Sequence, residues 1–332
     1  MRSDAADAPP LPFPSFRPRA PWWGGDLQTL RNTLRPPRTP LADAGERLLL
    51  PLADGSGDRL AARLHRLPDA QQPLAVLIHG LSGSEDSAYL TTSAAALLRR
   101  GHPVLRLNLR GAGASRPHCR WQYHAGRSAD LRDALGALEP ALLARGLCLV
   151  GYSLGGNMLL KFLAEHGGGF PIAAAAAVSA PIDLAAASRR ILMRRNRVYH
   201  RNLLHWMKLE ALAAPALPAD DAERIRGAAS IWEFDDRFVA PRNGWSGAAE
   251  YYAVNSARGF LDDIRIPTLV VHALDDPWIP PDAYAAYDWS RNPHLVPLLA
   301  PGGGHVGFHA RDSTEPWHDR CIGQFFAARA LA

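Results

Sequence analysis

The chain has 332 residues, 47% of them hydrophobic and 21% charged, which is enough apolar material for one large α/β domain with an insertion or for two domains. This composition excludes intrinsically disordered and collagen-like proteins. The net charge is +5, but only Lys161 and Lys208 are lysines and most arginines are dispersed. The charge therefore does not predict a nucleic-acid partner.

The sequence also argues against two further classes of protein, those that span a membrane and those stabilised by disulfides. No apolar run reaches the length of about 18 residues that spans a bilayer, and residues 1–16 lack the basic and then apolar order of a signal peptide. We therefore expect a cytoplasmic protein without an integral membrane segment. Cys119, Cys148 and Cys321 are an odd number without short paired spacing, so we expect neither a disulfide framework nor a metal site.

Residues 1–45 are rich in proline and predict an irregular amino-terminal extension that wraps over the main body. The stretch ERLLLPLADGSGDRLAARLHRL follows. Its second half alternates apolar residues with Arg59, Arg63 and His65 after an Asp-Gly turn. This pattern predicts a half-exposed antiparallel hairpin.

Short, continuous apolar runs then alternate with helical patterns. The runs are PLAVLIHG, HPVLRLNLRG, LCLVGYS and FPIAAAAAVSA, and the helical patterns cover residues 87–100, 129–144 and 155–165. Runs of this length, separated by helices, are typical of parallel strands that are buried on both faces. The predicted fold class is α/β, with a mostly parallel, doubly wound sheet.

The alternation stops after Pro181. Residues 182–265 contain arginine-rich helical sequence and the aromatic stretch IWEFDDRFVAPRNGWSGAAEYY, and the sheet pattern resumes at IPTLVVHALDDPW and HLVPLLAPGGGH. An insertion between late strands commonly covers the carboxyl ends of the strands, where ligands bind. We predict a core made of residues 46–181 and 266–332, with residues 182–265 inserted as a helical cap.

The pentapeptide GYSLG places Ser153 between the end of the apolar run LCLV and the start of a helical pattern. On such a tight turn a serine is lifted above the strand ends as a nucleophile, and the flanking glycines let the helix pack closely. The motif is short, and a helix N-cap is an equally good interpretation of this serine alone. Ser153 is therefore a candidate nucleophile that needs partners elsewhere in the chain.

A serine nucleophile needs a base within hydrogen-bond reach, and the base needs an acid that orients it. The candidate base is His305, in a glycine-rich loop after HLVPLLA. The adjacent Asp275 and Asp276 follow TLVVHAL, and we prefer Asp276 because it directly precedes the proline-containing loop PWIP, with Asp275 as the alternative. The order Ser, Asp, His is the one expected of α/β-hydrolases. Singly, each residue is also consistent with a turn or surface position.

Acyl transfer also needs backbone N–H groups that stabilise the negative charge of the tetrahedral intermediate. The candidates for this oxyanion hole are Leu154, directly after the serine, and Leu81, after His79-Gly80 in LIHGLSGSEDSAYL. Four independent parts of such a site therefore occur in the expected order along the chain.

These stretches resemble the YheT-like α/β-hydrolases, the abhydrolase 4 family, over about residues 25–326. The resemblance rests on GDLQTL, HGLSGSEDSAYL, NLRGAGAS, YHAGRSADLRDAL, GYSLGGN, VSAPIDL, FDDRFVAP with GAAEYY, ALDDPWIP and GGGHVGF. It implies a catalytic triad of Ser153, Asp276 and His305 and esterase-like hydrolysis of acyl substrates. The chain has Asp26 where the family usually has a histidine, and the membrane-anchoring amino terminus of the animal relatives is not expected here. We interpret the YHAG and FDD motifs as supports of the active-site loops.

The predicted function is that of a serine hydrolase that cleaves small carboxylic esters with short- to medium-chain acyl groups, without a metal or organic cofactor. A more specific hypothesis is an anionic, lipid-like ester held by arginines of the cap, although charge runs are more often solvated. Those arginines are Arg189, Arg190, Arg194, Arg195 and Arg197. The alternative from another class is a non-catalytic protein that holds a small apolar ligand in the capped pocket. A nucleic-acid-binding function ranks last, and the sequence predicts no oligomeric state.

Overall fold

One eight-stranded sheet organises the protein. The computed structural model describes residues 13–36, 41, 44–215 and 217–330. The strands lie in the order β1-β2-β4-β3-β5-β6-β7-β8. Their bounds are β1 Glu46–Pro51, β2 Arg59–His65, β3 Leu74–Ile78, β4 Val104–Leu107, β5 Leu147–Tyr152, β6 Ile172–Val178, β7 Thr268–Ala273 and β8 Leu295–Ala300. Strands β4, β3, β5, β6, β7 and β8 run parallel, so the predicted fold class is confirmed.

The first two strands form the predicted antiparallel hairpin, in which Leu50 pairs with Leu60. Strand β2 also pairs antiparallel with β4. It therefore has a neighbouring strand on both sides and is more buried than the edge strand of an isolated hairpin. The predicted alternation of exposure is wrong at His65, which is buried. Its Nε2 lies 3.3 Å from Nη2 of buried Arg106 on the neighbouring strand.

Helices cover both faces of the sheet. On one face lie α2 (Ala88–Arg99) and α13 (Trp317–Ala330), and on the other lie α3 (Ser128–Gly136) and α5 (Leu154–Glu165). Alternate residues of β5 contribute to the two cores, Cys148 and Val150 to the first and Leu147 and Leu149 to the second. This alternation explains why the strand sequences are apolar without interruption.

The helix predicted over residues 129–144 is two helices in the structure. Helix α3 ends at Gly136, and a separate short helix, α4, covers Pro140–Leu143. Proline has no N–H to donate to a preceding turn, which ends a helix but suits the first position of a new one. A further short helix, α12 (Asp282–Ala285), lies between β7 and β8.

Residues 182–265, which we call the cap segment, are helical. Their helices are α6 (Leu184–Ile191), α7 (Arg197–Leu212), α8 (Ala219–Gly227), α9 (Ile231–Phe234), α10 (Ala240–Arg242) and α11 (Ala248–Asn255). A π-helical stretch, Asp235–Val239, joins α9 to α10. The described part of the cap segment contains no strand, and it has an apolar core of its own around Met207 and Phe234.

The predicted amino-terminal extension is not irregular throughout. Residues Gly25–Leu34 form helix α1, and Pro18 forms a β-bridge with Ala310. The parts of this prediction that concern residues 1–12, 37–40 and 42–43 lie outside the described residues. No helix within the described ranges is long and apolar enough to cross a membrane. All three cysteines are buried free thiols.

Candidate active site

Ser153 occupies the turn between β5 and α5, with φ 50° and ψ −123°. A positive φ is rare for a residue with a side chain and is maintained only where the surrounding structure imposes it. The flanking glycines explain how the turn is possible. A Cβ on Gly151 would lie 2.5 Å from the carbonyl oxygen of Gly155, and a Cβ on Gly155 would collide with the carbonyl oxygen of His79. The serine is thereby raised above the ends of the strands.

A line of hydrogen-bonded groups joins Ser153, His305 and Asp276. Nε2 of His305 lies 2.9 Å from Oγ of Ser153, and Nδ1 of His305 lies 2.8 Å from Oδ2 of Asp276. The carboxylate can only accept, so Nδ1 carries the proton and Nε2 is left to accept from the serine. The structure therefore places the predicted His305 between the predicted Ser153 and Asp276, in contact with both.

The carboxylate of Asp276 is fully buried, and three donors satisfy it. Besides the bond to His305, Oδ1 accepts from the N–H groups of Trp278 and Ile279 at 2.8 and 3.0 Å. Burial alone would raise the pKa of Asp276, but the positive charge that His305 can carry, the bond to His305 and these N–H groups hold the pKa below its ordinary value. The side chain is therefore ionised at neutral pH.

Asp275 points elsewhere. Its Oδ1 accepts from the N–H of Gly304 at 2.8 Å, in the loop that carries His305. Burial is the main cause that raises the pKa of Asp275. The geometry thus distinguishes the two aspartates, which the sequence alone left open.

Helix α1 holds the histidine loop in place. Oγ1 of Thr29 accepts from the N–H of His305 at 2.8 Å, and the Gln28 side chain accepts from the N–H of His309 at 2.7 Å and donates to its carbonyl oxygen at 3.2 Å. Trp278 packs against the ring of His305 with their centroids 4.4 Å apart. The motif GDLQTL contained these two α1 residues, but nothing in the sequence connected them to His305.

Leu81 lies in a loop whose other N–H groups are occupied. The N–H of Gly80 donates to the Tyr89 hydroxyl at 2.9 Å, that of Ser82 to the Tyr123 hydroxyl at 2.8 Å, and that of Gly83 to the carbonyl oxygen of Gly80 at 3.1 Å. The N–H of Leu81 has no acceptor in the described part of the chain. It is therefore available to a ligand in the pocket that Leu81 lines.

Leu154 supplies the second candidate donor. It is the first residue of α5, so its N–H has no acceptor within the helix, and it lies at the positive end of the helix dipole. Leu154 and Ser153 line the same pocket as Leu81. The structure thus gathers both predicted donors beside the serine.

His79 has a structural role. Its Nε2 accepts from the N–H of Leu109 at 3.0 Å, so Nδ1 carries the proton and donates to the carbonyl oxygen of Gly80 at 2.7 Å. Burial lowers the pKa of His79 to about 4. A neutral His79 therefore joins the end of β3 to the segment that follows β4.

A cavity of about 440 Å³ opens above Ser153. The cap segment contributes an apolar wall that includes Ile191, Leu203, Met207, Phe234 and Phe238. None of the arginines in the predicted anionic-ester site lines the cavity, whereas Arg242 does. The hypothesis that those arginines hold an anionic group of the substrate inside the pocket therefore has no contact to support it.

The YHAG motif connects the cap segment to the Leu81 loop. The Tyr123 hydroxyl, which accepts from Ser82, donates to Oε2 of Glu210 on α7 at 3.0 Å. Burial raises the pKa of Glu210 to about 7. Ala125 of the same motif donates its N–H to the Tyr251 hydroxyl at 2.9 Å. Sequence reasoning missed Glu210, because no local motif marks it.

The FDD motif lies inside the cap segment. Oδ2 of Asp235 accepts from the Tyr252 hydroxyl at 2.6 Å, and Oδ1 of Asp236 accepts from the N–H of Ala248 at the start of α11 at 2.9 Å. Burial raises the pKa of Asp235 to about 7. These contacts tie FDD to GAAEYY inside the cap segment, and support of the active-site loops by FDD stays a prediction. Within the described ranges no group of His, Cys, Asp and Glu side chains is arranged to hold a metal ion.

Comparisons with known proteins agree with the observed fold. A family model described as alpha/beta hydrolase fold matches residues 73–312. The chain is 34% identical to the esterase candidate YheT of Escherichia coli (strain K12), over 85% of this chain and 83% of that protein. It is 29% identical to medium-chain fatty acid ethyl ester synthase/esterase 2 of Saccharomyces cerevisiae, over 79% of this chain and 64% of that protein. The Pyrococcus furiosus esterase Pf2001 shares the fold, with a TM-score of 0.58 at 15% identity over 86% of this chain and 92% of that one.

Proposed function

The chain belongs to the α/β-hydrolase fold family and, within it, to the YheT-like group, and on that premise we propose that it is a serine hydrolase of carboxylic esters. The observation that carries the proposal is the hydrogen-bonded line from Ser153 through His305 to Asp276, with distances of 2.9 and 2.8 Å. An isolated serine hydroxyl is a weak nucleophile, and this line provides the base and the orienting acid that activate it.

In the proposed mechanism, Ser153 Oγ attacks the ester carbonyl carbon while His305 Nε2 takes the hydroxyl proton. The negative charge on the carbonyl oxygen is met by the N–H groups of Leu81 and Leu154. His305 then returns its proton to the leaving alcohol, and the acyl group stays on Ser153. A water molecule repeats the sequence, releases the acid and restores the serine. Asp276 stays ionised and stabilises the protonated His305.

The proposed substrates are esters with short- to medium-chain acyl groups. The cavity of about 440 Å³ lies within the usual range for small-molecule sites, and the cap segment lines it with apolar side chains that suit an acyl chain. The yeast relative is named for medium-chain fatty acid ethyl esters, which supports the same class of substrate here.

Replacement of the nucleophile tests the proposal. We expect Ser153→Ala to lower kcat on p-nitrophenyl esters by at least about a thousandfold, in a series of acyl chain lengths that also locates the preferred substrate. Ser188→Ala is the matched control, because Ser188 lines the same pocket but its hydroxyl contacts Tyr252 instead of His305. Unchanged turnover in Ser153→Ala would refute the proposal.

Covalent labelling separates this enzyme from a non-catalytic binding protein with the same pocket. A fluorophosphonate reacts with an activated serine, so we expect one label at Ser153 in the native chain and none in Ser153→Ala. A chain that binds an apolar ligand but takes no label would favour the binding protein.

A further inference from the structure

The exposed apolar side chains of this protein are unevenly distributed. Within the described ranges, eleven large hydrophobic side chains are exposed. Eight of them lie on two short parts of the chain, residues 23–34 and residues 189–209: Trp23, Leu27, Leu34, Leu192, Met193, Val198, Trp206 and Leu209. Val198 is 80% exposed and Trp23 is 62% exposed. Single exposed apolar residues need no explanation, but a cluster of this kind marks an interaction site.

These two parts of the chain meet at the pocket. Helix α1 lines the cavity with Thr29, Asn32 and Thr33, and α7 lines it with residues that include Trp206, which is itself half exposed. Asp26 on α1 joins the two elements, because it accepts from Arg195 at 2.9 Å and from the Tyr199 hydroxyl at 3.1 Å. We call the exposed side chains of residues 23–34 and 189–209 the entrance face.

The entrance face is also strongly basic. Residues 184–209 contain six arginines and one lysine and no acidic residue, and Asp26 is the only acidic residue between residues 13 and 41. Of the six arginines, only Arg195 has an ion pair within the described ranges, and its partner is Asp26. The charges of the exposed Arg189, Arg194, Arg197 and Arg201 are therefore not neutralised by neighbouring carboxylates.

We propose that the entrance face docks the protein on anionic lipid surfaces, with the mouth of the pocket held against the lipid. Arginine guanidinium groups are attracted to the negative potential of such a surface. Aliphatic and tryptophan side chains favour the boundary between headgroups and acyl chains. A lipid surface is fluid, so exposed apolar side chains from two separate elements can insert into it without a matching shape. A folded acidic protein would have to provide such a matching shape. Binding to the lipid surface does not require catalysis. Only the purpose of docking, to bring acyl esters from the lipid to Ser153, rests on the proposed function.

Vesicle sedimentation tests the docking step without catalysis. Ser153→Ala protein is mixed with vesicles of phosphatidylcholine alone or of phosphatidylcholine and phosphatidylglycerol in equal parts. We expect at least about tenfold tighter binding to the anionic vesicles at low salt, with a decline as salt rises. Equal binding to both compositions, or no binding to either, would overturn the proposal.

Charge and apolar variants locate the surface. We expect binding to anionic vesicles to fall by at least about tenfold in a charge-reversal variant, and to fall similarly in an apolar variant. These are Arg194→Glu/Arg197→Glu/Arg201→Glu and Leu192→Ser/Met193→Ser/Val198→Ser. The matched control carries the same charge change on exposed arginines outside the entrance face, Arg59→Glu/Arg120→Glu/Arg145→Glu, and it should bind within about twofold of the parent.

Two further readouts separate the possible failures. With Ser153 intact, the charge-reversal variant should hydrolyse a water-soluble short ester within about twofold of the parent rate, because none of its three arginines lines the pocket. If Ser153→Ala keeps full turnover, the proposed function fails while the docking result stands. If the control loses binding as much as the entrance-face variants, or if those variants instead change the oligomeric state in light scattering, the docking proposal fails.

Discussion

At the scale of single residues, the side chains of the neighbouring Asp275 and Asp276 point in different directions and have different hydrogen-bond partners. The Asp276 carboxylate accepts from His305 and from two backbone N–H groups. The Asp275 carboxylate accepts from Gly304 in the same loop. One aspartate thus orients the histidine ring, and the other supports the backbone that carries it.

This difference predicts unequal effects of the same substitution. Asp276→Asn should lower kcat by about three to four orders of magnitude, because the amide favours the wrong tautomer of His305 and cannot stabilise its protonated form. Asp275→Asn is the matched control, and it should lower kcat by less than about tenfold because the amide oxygen can still accept from Gly304. Steady-state kinetics on a p-nitrophenyl ester measure both. A similar loss in the two variants would contradict the assignment.

At the scale of elements, separate parts of the chain hold the two loops beside Ser153. Helix α1 fixes the histidine loop through Thr29 and Gln28. The Leu81 loop is fixed from two sides by the hydroxyls of Tyr89 and Tyr123. Because Tyr123 is in turn bonded to Glu210 on α7, the cap segment is coupled to the candidate oxyanion loop.

The coupling predicts a kinetic effect of Tyr123→Phe. Removal of the hydroxyl leaves the Ser82 N–H without its acceptor and loosens the neighbouring Leu81. A hydrogen bond of this kind contributes about 1 kcal/mol, so kcat should fall about five- to tenfold, with KM little changed. Tyr251→Phe is the matched control, because it removes another hydroxyl that lines the pocket and accepts from Ala125 instead of Ser82. A rise in KM without a change in kcat would show that Tyr123 binds substrate and does not position the loop.

At the scale of the whole molecule, buried carboxyl groups make stability depend on pH. Asp319 on α13 is fully buried, and its Oδ1 accepts from Ser93 on α2, which in turn accepts from the Tyr152 hydroxyl on β5 at 2.6 Å. Burial raises the pKa of Asp319 to about 7. The folded protein therefore favours the protonated carboxyl group more than the unfolded chain does. The stability that this group contributes is full below pH 4 and is lost as the pH rises through 7.

The corresponding prediction concerns Asp319→Asn, which cannot ionise. The free energy of unfolding of the variant minus that of the native chain should be larger at pH 8 than at pH 5, by up to a few kcal/mol. Asp235 and Glu210 also have a raised pKa, but they titrate in both proteins and cancel in the comparison. Urea unfolding at the two pH values measures the difference. If the variant and the native chain differ by the same free energy of unfolding at pH 5 and at pH 8, the prediction is wrong.

The sequence by itself determined the fold class and the candidate nucleophile, because both depend on local patterns. Continuous apolar runs of strand length specify buried parallel strands, and glycines on both sides of Ser153 mark the tight turn. The break before Pro140 is also a local feature, but the helical pattern over residues 129–144 continues across it. His305 and Asp276 could be proposed from their order along the chain, and their catalytic roles stay predictions.

Only the tertiary structure decided which aspartate faces His305, what supports the active-site loops, and where the cap arginines point. Each of these depends on partners far away in the chain. His305 and Thr29 are 276 residues apart, and Tyr123 and Glu210 are 87 residues apart. The sequence predicts a substrate site at five arginines, but the apolar Ile191 and Leu203 line the cavity and these arginines do not. The five are Arg189, Arg190, Arg194, Arg195 and Arg197. Residue spacing gives the face of a helix, and only packing decides what that face meets.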